Sequence, residues 1–217
     1  MAFLSAQDEA AVTREFEKLT GPVTLTVFAS ELGPDNNAQT VSLIKEVAAL
    51  SEKITVKVMN PHIERDEAAA YGVSVTPAVA VEGAKDYGIR FLGTPAGYEF
   101  SNLIDSIICV STGEAQLKDE TRAALAGLTE DVTIKVFATP TRPHCPRAVR
   151  LAQHMSIASE HVRSECVEAT EFPELSQRYQ VMAVPKIVIN DRVEFEGAIP
   201  ESDFVNAVLQ AVNGKEA

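Results

Sequence analysis

Cysteine and positive charge are both scarce in this chain. Its 217 residues include three cysteines, Cys109, Cys145 and Cys166. That odd number has no framework spacing, so structural disulfides are not expected and the thiols should be reduced. Lys and Arg total 19 against 31 Asp and Glu, a formal charge of −12. Phosphate binding relies on clustered cations, so nucleic acid and anionic membrane are not expected as partners. No window approaches the roughly 20 apolar residues of a membrane span. The start, MAFLSAQDEA, has neither a basic region nor a long apolar core, so a soluble cytoplasmic protein is the expectation. No Gly-x-Gly-x-x-Gly or Gly-x-x-x-x-Gly-Lys loop is present, which leaves no sign of a nucleotide. His62, His154 and His161 have no metal-ligand spacing, so neither a cofactor nor a metal is expected.

The apolar content of 46% can fill one large core or two smaller ones, and an internal repeat decides for two. VTLTVFA at 23–29 returns as VTIKVFA at 132–138, five of seven positions identical at an offset of 109. Tyr71, Val73 and Pro77 return as Tyr179, Val181 and Pro185 at an offset of 108. Each unit reads as strand, helix, strand, then a short helix, two strands and a closing helix. The strands are 23–28, 54–59, 132–137 and 162–168, and the long helices are 37–50 and 146–159. Short helices are expected around 64–71 and 172–179, and each unit has a leading helix, one carrying Val12, Phe16 and Leu19, the other at 117–128. The division falls near residue 114, giving units of 1–113 and 114–217.

Two prolines punctuate this pattern alike. Thr76-Pro77 and Val184-Pro185 each precede an apolar strand, where an interior ladder does not tolerate a prolyl nitrogen. A cis peptide bond at the sheet's end accommodates both.

The segment TPTRPHCP at 139–146 follows the strand of the second unit and opens its helix. Together with GIRFLGTPAGYEF at 88–100, CPRAVRLAQ at 145–153, VEATEFPELSQRYQVMAVPKIVIN at 167–190 and VEFEGAIPE at 193–201, it resembles the protein disulfide oxidoreductase family of archaea and bacteria. These proteins are glutaredoxin-like, with two fused thioredoxin-like units. The resemblance runs from about residue 8 to residue 212. It implies an α/β fold in which each unit has a central mixed sheet flanked by helices. It also implies that cis-Pro77 and cis-Pro185 face the motif positions, with Thr76 and Val184 offering their backbones to an extended substrate.

Family members carry Cys-x-x-Cys at the end of the first strand in one or both units, and this chain departs from that in both. The first-unit motif falls on Pro34, Asp35, Asn36 and Asn37, with no cysteine. The second falls on Arg142, Pro143, His144 and Cys145, with only the second cysteine kept. In this chemistry one thiolate attacks a substrate disulfide and the other resolves the mixed disulfide from close range. Arg142 cannot attack, so Cys145 would act alone.

Cys145, Val149 and Ala152 share the apolar face of the helix, which turns Cys145 inward. The helix N-terminus and Arg142 favour its thiolate, and burial opposes it. Cys145 therefore has two readings, an inert buried remnant of the resolving cysteine or a slow monothiol site. Arg142 has two as well, a solvated surface cation or an anion site for a peptide or glutathione carboxylate. His144 is an exposed residue between the motif positions or a group that tunes Cys145.

Cys109 and Cys166 read as core residues, and a Cys145–Cys166 disulfide is not established by phasing. Glu168 and Glu171 read as solvated loop carboxylates, with proton transfer near Cys145 as the other role. The function expected is a family member with weak or lost dithiol activity and a retained cis-proline face for peptides or anions. The alternative is an active monothiol oxidoreductase that uses Cys145 with an external resolving thiol. Protein or peptide thiols and disulfides, or small anionic thiols, are the expected partners, and no oligomeric state follows from the sequence.

Overall fold

A computed structural model describes residues 2–214. The chain runs α1 (Ala6–Glu15), β1 (Val23–Phe28), α2 (Asn36–Ala48), β2 (Ile54–Met59), α3 (Arg65–Ala70), β3 (Ala78–Glu82), β4 (Ile89–Leu92) and α4 (Phe100–Thr112). It repeats as α5 (Asp119–Ala126), β5 (Val132–Ala138), α6 (Cys145–Ala158), β6 (Val162–Glu168), α7 (Pro173–Arg178), β7 (Lys186–Ile189), β8 (Val193–Glu196) and α8 (Glu201–Asn213). The helix bounds sit one to two residues from those read off the pattern, the usual uncertainty of a fraying end.

Each unit has a four-stranded mixed sheet. β1 lies parallel to β2 and antiparallel to β3, which pairs with β4; β5 lies parallel to β6 and antiparallel to β7, which pairs with β8. The two sheets join edge to edge. β4 and β6 pair in parallel, Ile89 with Ser164 through Leu92 with Val167. The result is one eight-stranded sheet in the order β2-β1-β3-β4-β6-β5-β7-β8. Joining the edges removes two of the four exposed rows of backbone donors and acceptors that separate sheets would carry. The composition follows: β4 and β7 are buried at all four positions, while the outer strand β8 alternates, with Glu194 and Glu196 facing solvent.

The long helices cover one face of the sheet over a continuous core that includes Leu25, Val27, Ile44, Leu103, Ile107, Val136, Val149 and Phe204. The other face has a smaller core of Phe28, Met59, Val73, Leu92, Phe137, Val167 and Val188. The repeat is visible there as ring pairs. Phe28 meets Tyr71 at 5.3 Å between centroids, and Phe137 meets Tyr179 at 5.4 Å, within the range where edge contacts are favourable.

Two arginines lie on the strands that form the joint, and one of them reaches across it. Arg90, buried on β4, pairs with Asp86 (2.5 Å) and donates to the Tyr71 carbonyl (3.1 Å). Arg163, half-buried on β6, pairs with Glu165 (2.9 Å) and reaches into the first unit, donating to the carbonyls of Tyr71 (2.8 Å) and Gly72 (3.1 Å) at the end of α3. Carbonyls at a helix end have no partner within their helix, so Arg163 caps one unit from the other. Arg163→Ala is expected to lower stability by about 1 to 2 kcal/mol, because a charged donor is lost from the carbonyls it caps. Urea unfolding should read this as a lower midpoint at an unchanged slope; an unchanged midpoint would contradict the clamp.

Candidate functional site

The turn after β5 sets the site. The Arg142 N–H donates to the Thr139 carbonyl and the Cys145 N–H to the Arg142 carbonyl, both at 3.3 Å. This tightens the chain into α6, which starts at Cys145 with Pro146 in its first turn, a position where a missing N–H costs nothing. Arg142, Pro143 and His144 are exposed, and Cys145 is fully buried. Val149, Ala152 and Met155 on the same helix face have no exposure either, so the helical phasing read from the sequence places the thiol inward as expected.

Burial pushes the Cys145 thiol above its ordinary pKa. A backbone hydrogen bond at Thr139 and the charge of Arg142 pull the other way, and Glu99 adds to the rise. The thiolate is therefore disfavoured. All three cysteines are free, so Cys145 and Cys166 form no disulfide. Cys166 on β6 is 4% exposed, and burial together with the negative charges of Glu99 and Cys145 raises it further.

Glu99 is the residue that sequence reasoning missed. It belongs to the first unit yet is buried against the thiols of the second. The approach depends on Gly97, whose φ is +61°. A Cβ there would lie 2.3 Å from the Pro140 carbonyl oxygen of the Arg142 loop, too close for any other residue to keep this path. The adjacent Tyr98 N–H donates to that carbonyl at 2.9 Å. Glu99 Oε2 accepts from Asn102 (2.8 Å) and lies 3.8 Å from the Cys166 sulfur. Oε1 has no hydrogen-bond partner among the described residues. Burial raises the Glu99 carboxyl above the usual carboxylate range, against the hydrogen bonds of Asn102 and Cys166. The signal in the sequence was a lone acid within the apolar segment AGYEF, but its link to Cys145 depends on the β4–β6 pairing.

Both X–Pro bonds ahead of β3 and β7, Thr76–Pro77 and Val184–Pro185, are cis. Pro77 and Pro185 are buried, and Thr76 and Val184 are half-buried. The two units differ in what stands before these prolines. In the first unit, Asn36 at the motif donates to Glu171 (2.6 Å), whose other oxygen accepts the Thr94 N–H (3.0 Å). Ser74 and Val75, just before Thr76, share a cavity of about 530 Å³ with Glu171, Phe172 and Leu175 of the second unit. Glu171 is thus engaged across the joint rather than solvated or directed at Cys145. Glu168 is likewise not a solvated loop carboxylate: it is 5% exposed and held by Thr170 (2.7 Å) and the Glu171 N–H (2.7 Å). Asn37 turns inward, accepting the Ser30 N–H (3.0 Å) and donating to the Pro34 carbonyl (3.2 Å). These first-unit residues make structural hydrogen bonds.

One further cluster was not legible from spacing. Asp105 and Cys109 on α4 meet His154 on α6. His154 Nε2 lies 2.8 Å from Asp105 and 3.6 Å from Cys109, and its Nδ1 accepts the Gln116 N–H at 2.7 Å. That bond places the ring proton on Nε2, directed at Asp105, which Arg150 also grips at 3.1 Å. A cation at Nε2 would have to displace this proton while Nδ1 still faced a donor. The arrangement is better suited to strapping α4 to α6 than to coordination. Burial and the Asp105 charge push the Cys109 thiol up to about 12, which also opposes its use as a ligand.

Cys145 should react with a large aromatic disulfide reagent far more slowly than a free thiol at pH 7, and the rate should rise with pH as the thiolate forms. Glu99→Gln removes a charge that raises the Cys145 pKa, so it should move that rate profile to lower pH. Stopped-flow absorbance with peptide mapping would check both; rapid stoichiometric labelling of Cys145 at neutral pH would contradict the burial argument.

The comparisons with known proteins agree with this architecture. The thioredoxin domain family matches residues 132–210. A protein disulfide oxidoreductase from Aeropyrum pernix K1 superposes with a TM-score of 0.91 at 30% identity, covering 100% of this chain and 97% of that one. The F component of the alkyl hydroperoxide reductase of Pseudomonas aeruginosa is 23% identical over 99% of this chain and 39% of its own length. A thioredoxin from Methanocaldococcus jannaschii is 38% identical over 78 residues, 36% of this chain and 92% of that protein. The chain thus spans about two fifths of the length of its reductase relative, and its match to the Aeropyrum protein runs over the whole of this chain: it belongs to the thioredoxin-fold disulfide oxidoreductase family.

Proposed function

We propose that the second unit is a thioredoxin-type binding face for extended peptide or a small anionic thiol, with dithiol redox chemistry that is weak or lost. The carrying observation is the exchange at the motif, Arg142 exposed at the position of the attacking cysteine and Cys145 fully buried. Disulfide reduction starts with a thiolate reaching a sulfur. Here the accessible group is a guanidinium, which can pair with a carboxylate but cannot give up an electron pair.

The surroundings support binding. Met182, two residues before Val184, is 88% exposed, and Tyr98, bonded to the Arg142 loop, is 51% exposed. Tyr98 gives apolar surface beside the Arg142 loop, and Met182 gives it ahead of cis-Pro185. Val184 supplies the backbone ahead of cis-Pro185, and His144 stands in solvent at the motif. Thr76 and Pro77 do not join this face in the reading proposed, because the second unit's Glu171 and Phe172 stand before the first-unit loop. We place the division between the units near residue 114. Thiol or disulfide proteins are the partner class that follows. Among the described residues no helix is long and apolar enough to cross a membrane, and three free thiols fit a reducing compartment.

Glu99 favours a second reading. A buried carboxyl with an unpartnered oxygen and a charge felt by Cys145 could accept the Cys145 proton. The thiolate would attack a substrate disulfide, form a mixed disulfide and release the other sulfur as a thiolate that takes a proton. A glutathione-class thiol would then attack the Cys145 sulfur of the mixed disulfide, releasing the substrate thiol and leaving itself joined to Cys145; a second such thiol would attack the sulfur of the first, freeing Cys145 and leaving the disulfide of the two external thiols.

Arg142→Cys tests whether the missing attacking thiol is the main defect of the site. It should create a redox-active pair, raising dithiothreitol-dependent insulin reduction roughly tenfold or more through intramolecular resolution, and the gain should vanish with Cys145→Ser. A folded but inactive Arg142→Cys variant would show that the second-unit site has been reshaped beyond its missing thiol.

A further inference from the structure

The first unit has a groove at its β2 edge, lined by first-unit residues alone, among them Pro34 and Asp35 of the β1–α2 loop and Asn37 at the start of α2. It lies between the β1–α2 loop and the turn after β2, with a volume of about 570 Å³, and Ala29, Gly33, Val41, Val58, Ile63 and Glu64 are among its lining residues. Two features set it apart from ordinary surface. Leu32, Ile63 and Val58 are 99%, 78% and 49% exposed, and the first lies in the loop that lines the groove, the other two in its wall. Three of the six large exposed hydrophobic residues of the described chain thus gather at one place; scattered exposed hydrophobics need no explanation, but clustered ones mark an interaction surface. The groove also has charge of a single sign. Glu31, Asp35 and Glu64 stand along it, and its lining among the described residues contains no Lys, Arg or His.

We propose that this groove docks an extended segment of another protein that carries apolar side chains flanked by Lys or Arg. The apolar side chains would cover Ile63, Val58 and Leu32, and the cations would lie against Glu31 and Asp35. β2 is the outermost strand on this side of the sheet, so its free backbone edge runs beside the groove and can pair with an extended guest. No thiol lines the groove, so the site holds a partner without redox chemistry. It is separate from Cys145, and the reading of the second unit can fail without affecting it.

The test uses three fluorescein-labelled synthetic 12-residue peptides: alternating Leu and Lys, alternating Ser and Lys, and alternating Leu and Glu. Binding to the full chain is read by fluorescence anisotropy and located by amide shift changes in the ¹⁵N-labelled protein. The Leu/Lys peptide is expected to bind at least about tenfold more tightly than either other peptide, a modest hydrophobic difference on the affinity scale. Its shift changes should fall on Ala29, Ser30, Val58 and Ile63. The double variant Leu32→Ser, Ile63→Ser should weaken binding about tenfold, and Glu31→Gln with Asp35→Asn should weaken it and flatten its salt dependence. These residues are on the surface, so the variants should keep the parent circular dichroism and urea midpoint. Equal binding of the Ser/Lys peptide would reduce the effect to attraction by an acidic protein and overturn the proposal. Shifts centred on the Arg142 turn would overturn it as well, as would a chain dimer in sedimentation that the double serine variant abolishes, which would make a second copy the occupant.

Discussion

Four residue pairs between β4 and β6, Ile89 with Ser164 through Leu92 with Val167, hold two copies of one fold in a single sheet. A parallel pair of short strands is a modest bond by itself. Its consequence is positional. It sets the first unit's closing segment against the second unit's site, so that Gly97 touches Pro140 and Glu99 enters the core beside Cys166. It also lets Arg163 cap the end of α3 and Glu171 hold Asn36 and Thr94. Without the shared sheet each unit would have a second open edge, and the second unit would lose the carboxyl that shapes the electrostatics of its thiols.

The corresponding loops of the two units differ. In the first unit the amides of Asn36 and Asn37 satisfy backbone groups and a carboxylate across the joint, which makes this loop part of the packing. In the second unit the Arg142 loop tightens into α6 through two backbone bonds, with Arg142 exposed in the turn and Cys145 buried at the helix start. There a cation stands exposed in the turn, and the thiol at the helix start is buried, its pKa raised by that burial.

Much of this was legible in the sequence because it rests on local rules. The repeated VFA strand ends, the prolines ahead of β3 and β7 and the apolar face of α6 each depend on periodicity or backbone chemistry within a few residues. Cys145 could be placed inward for that reason. Glu99, Glu171 and the meeting of Asp105, Cys109 and His154 could not be read, since each depends on which side chains face one another across the joint. Glu168 and Glu171 look like ordinary loop acids in the sequence; only the shared sheet buries the first and gives the second a partner in the other unit. The groove between Val58 and Ile63 escaped for a related reason, because exposure of an apolar residue depends on what fails to pack on it.

The central claim is that the scaffold of a thiol-disulfide enzyme persists here without an accessible attacking thiol. The most direct measurement is insulin reduction by dithiothreitol with and without the natural chain, with Cys145→Ser alongside. The account predicts that the natural chain and Cys145→Ser leave the dithiothreitol rate unchanged. An acceleration by the natural chain that disappears in Cys145→Ser would contradict it, and would make Cys145, with Glu99 beside it, a working monothiol centre.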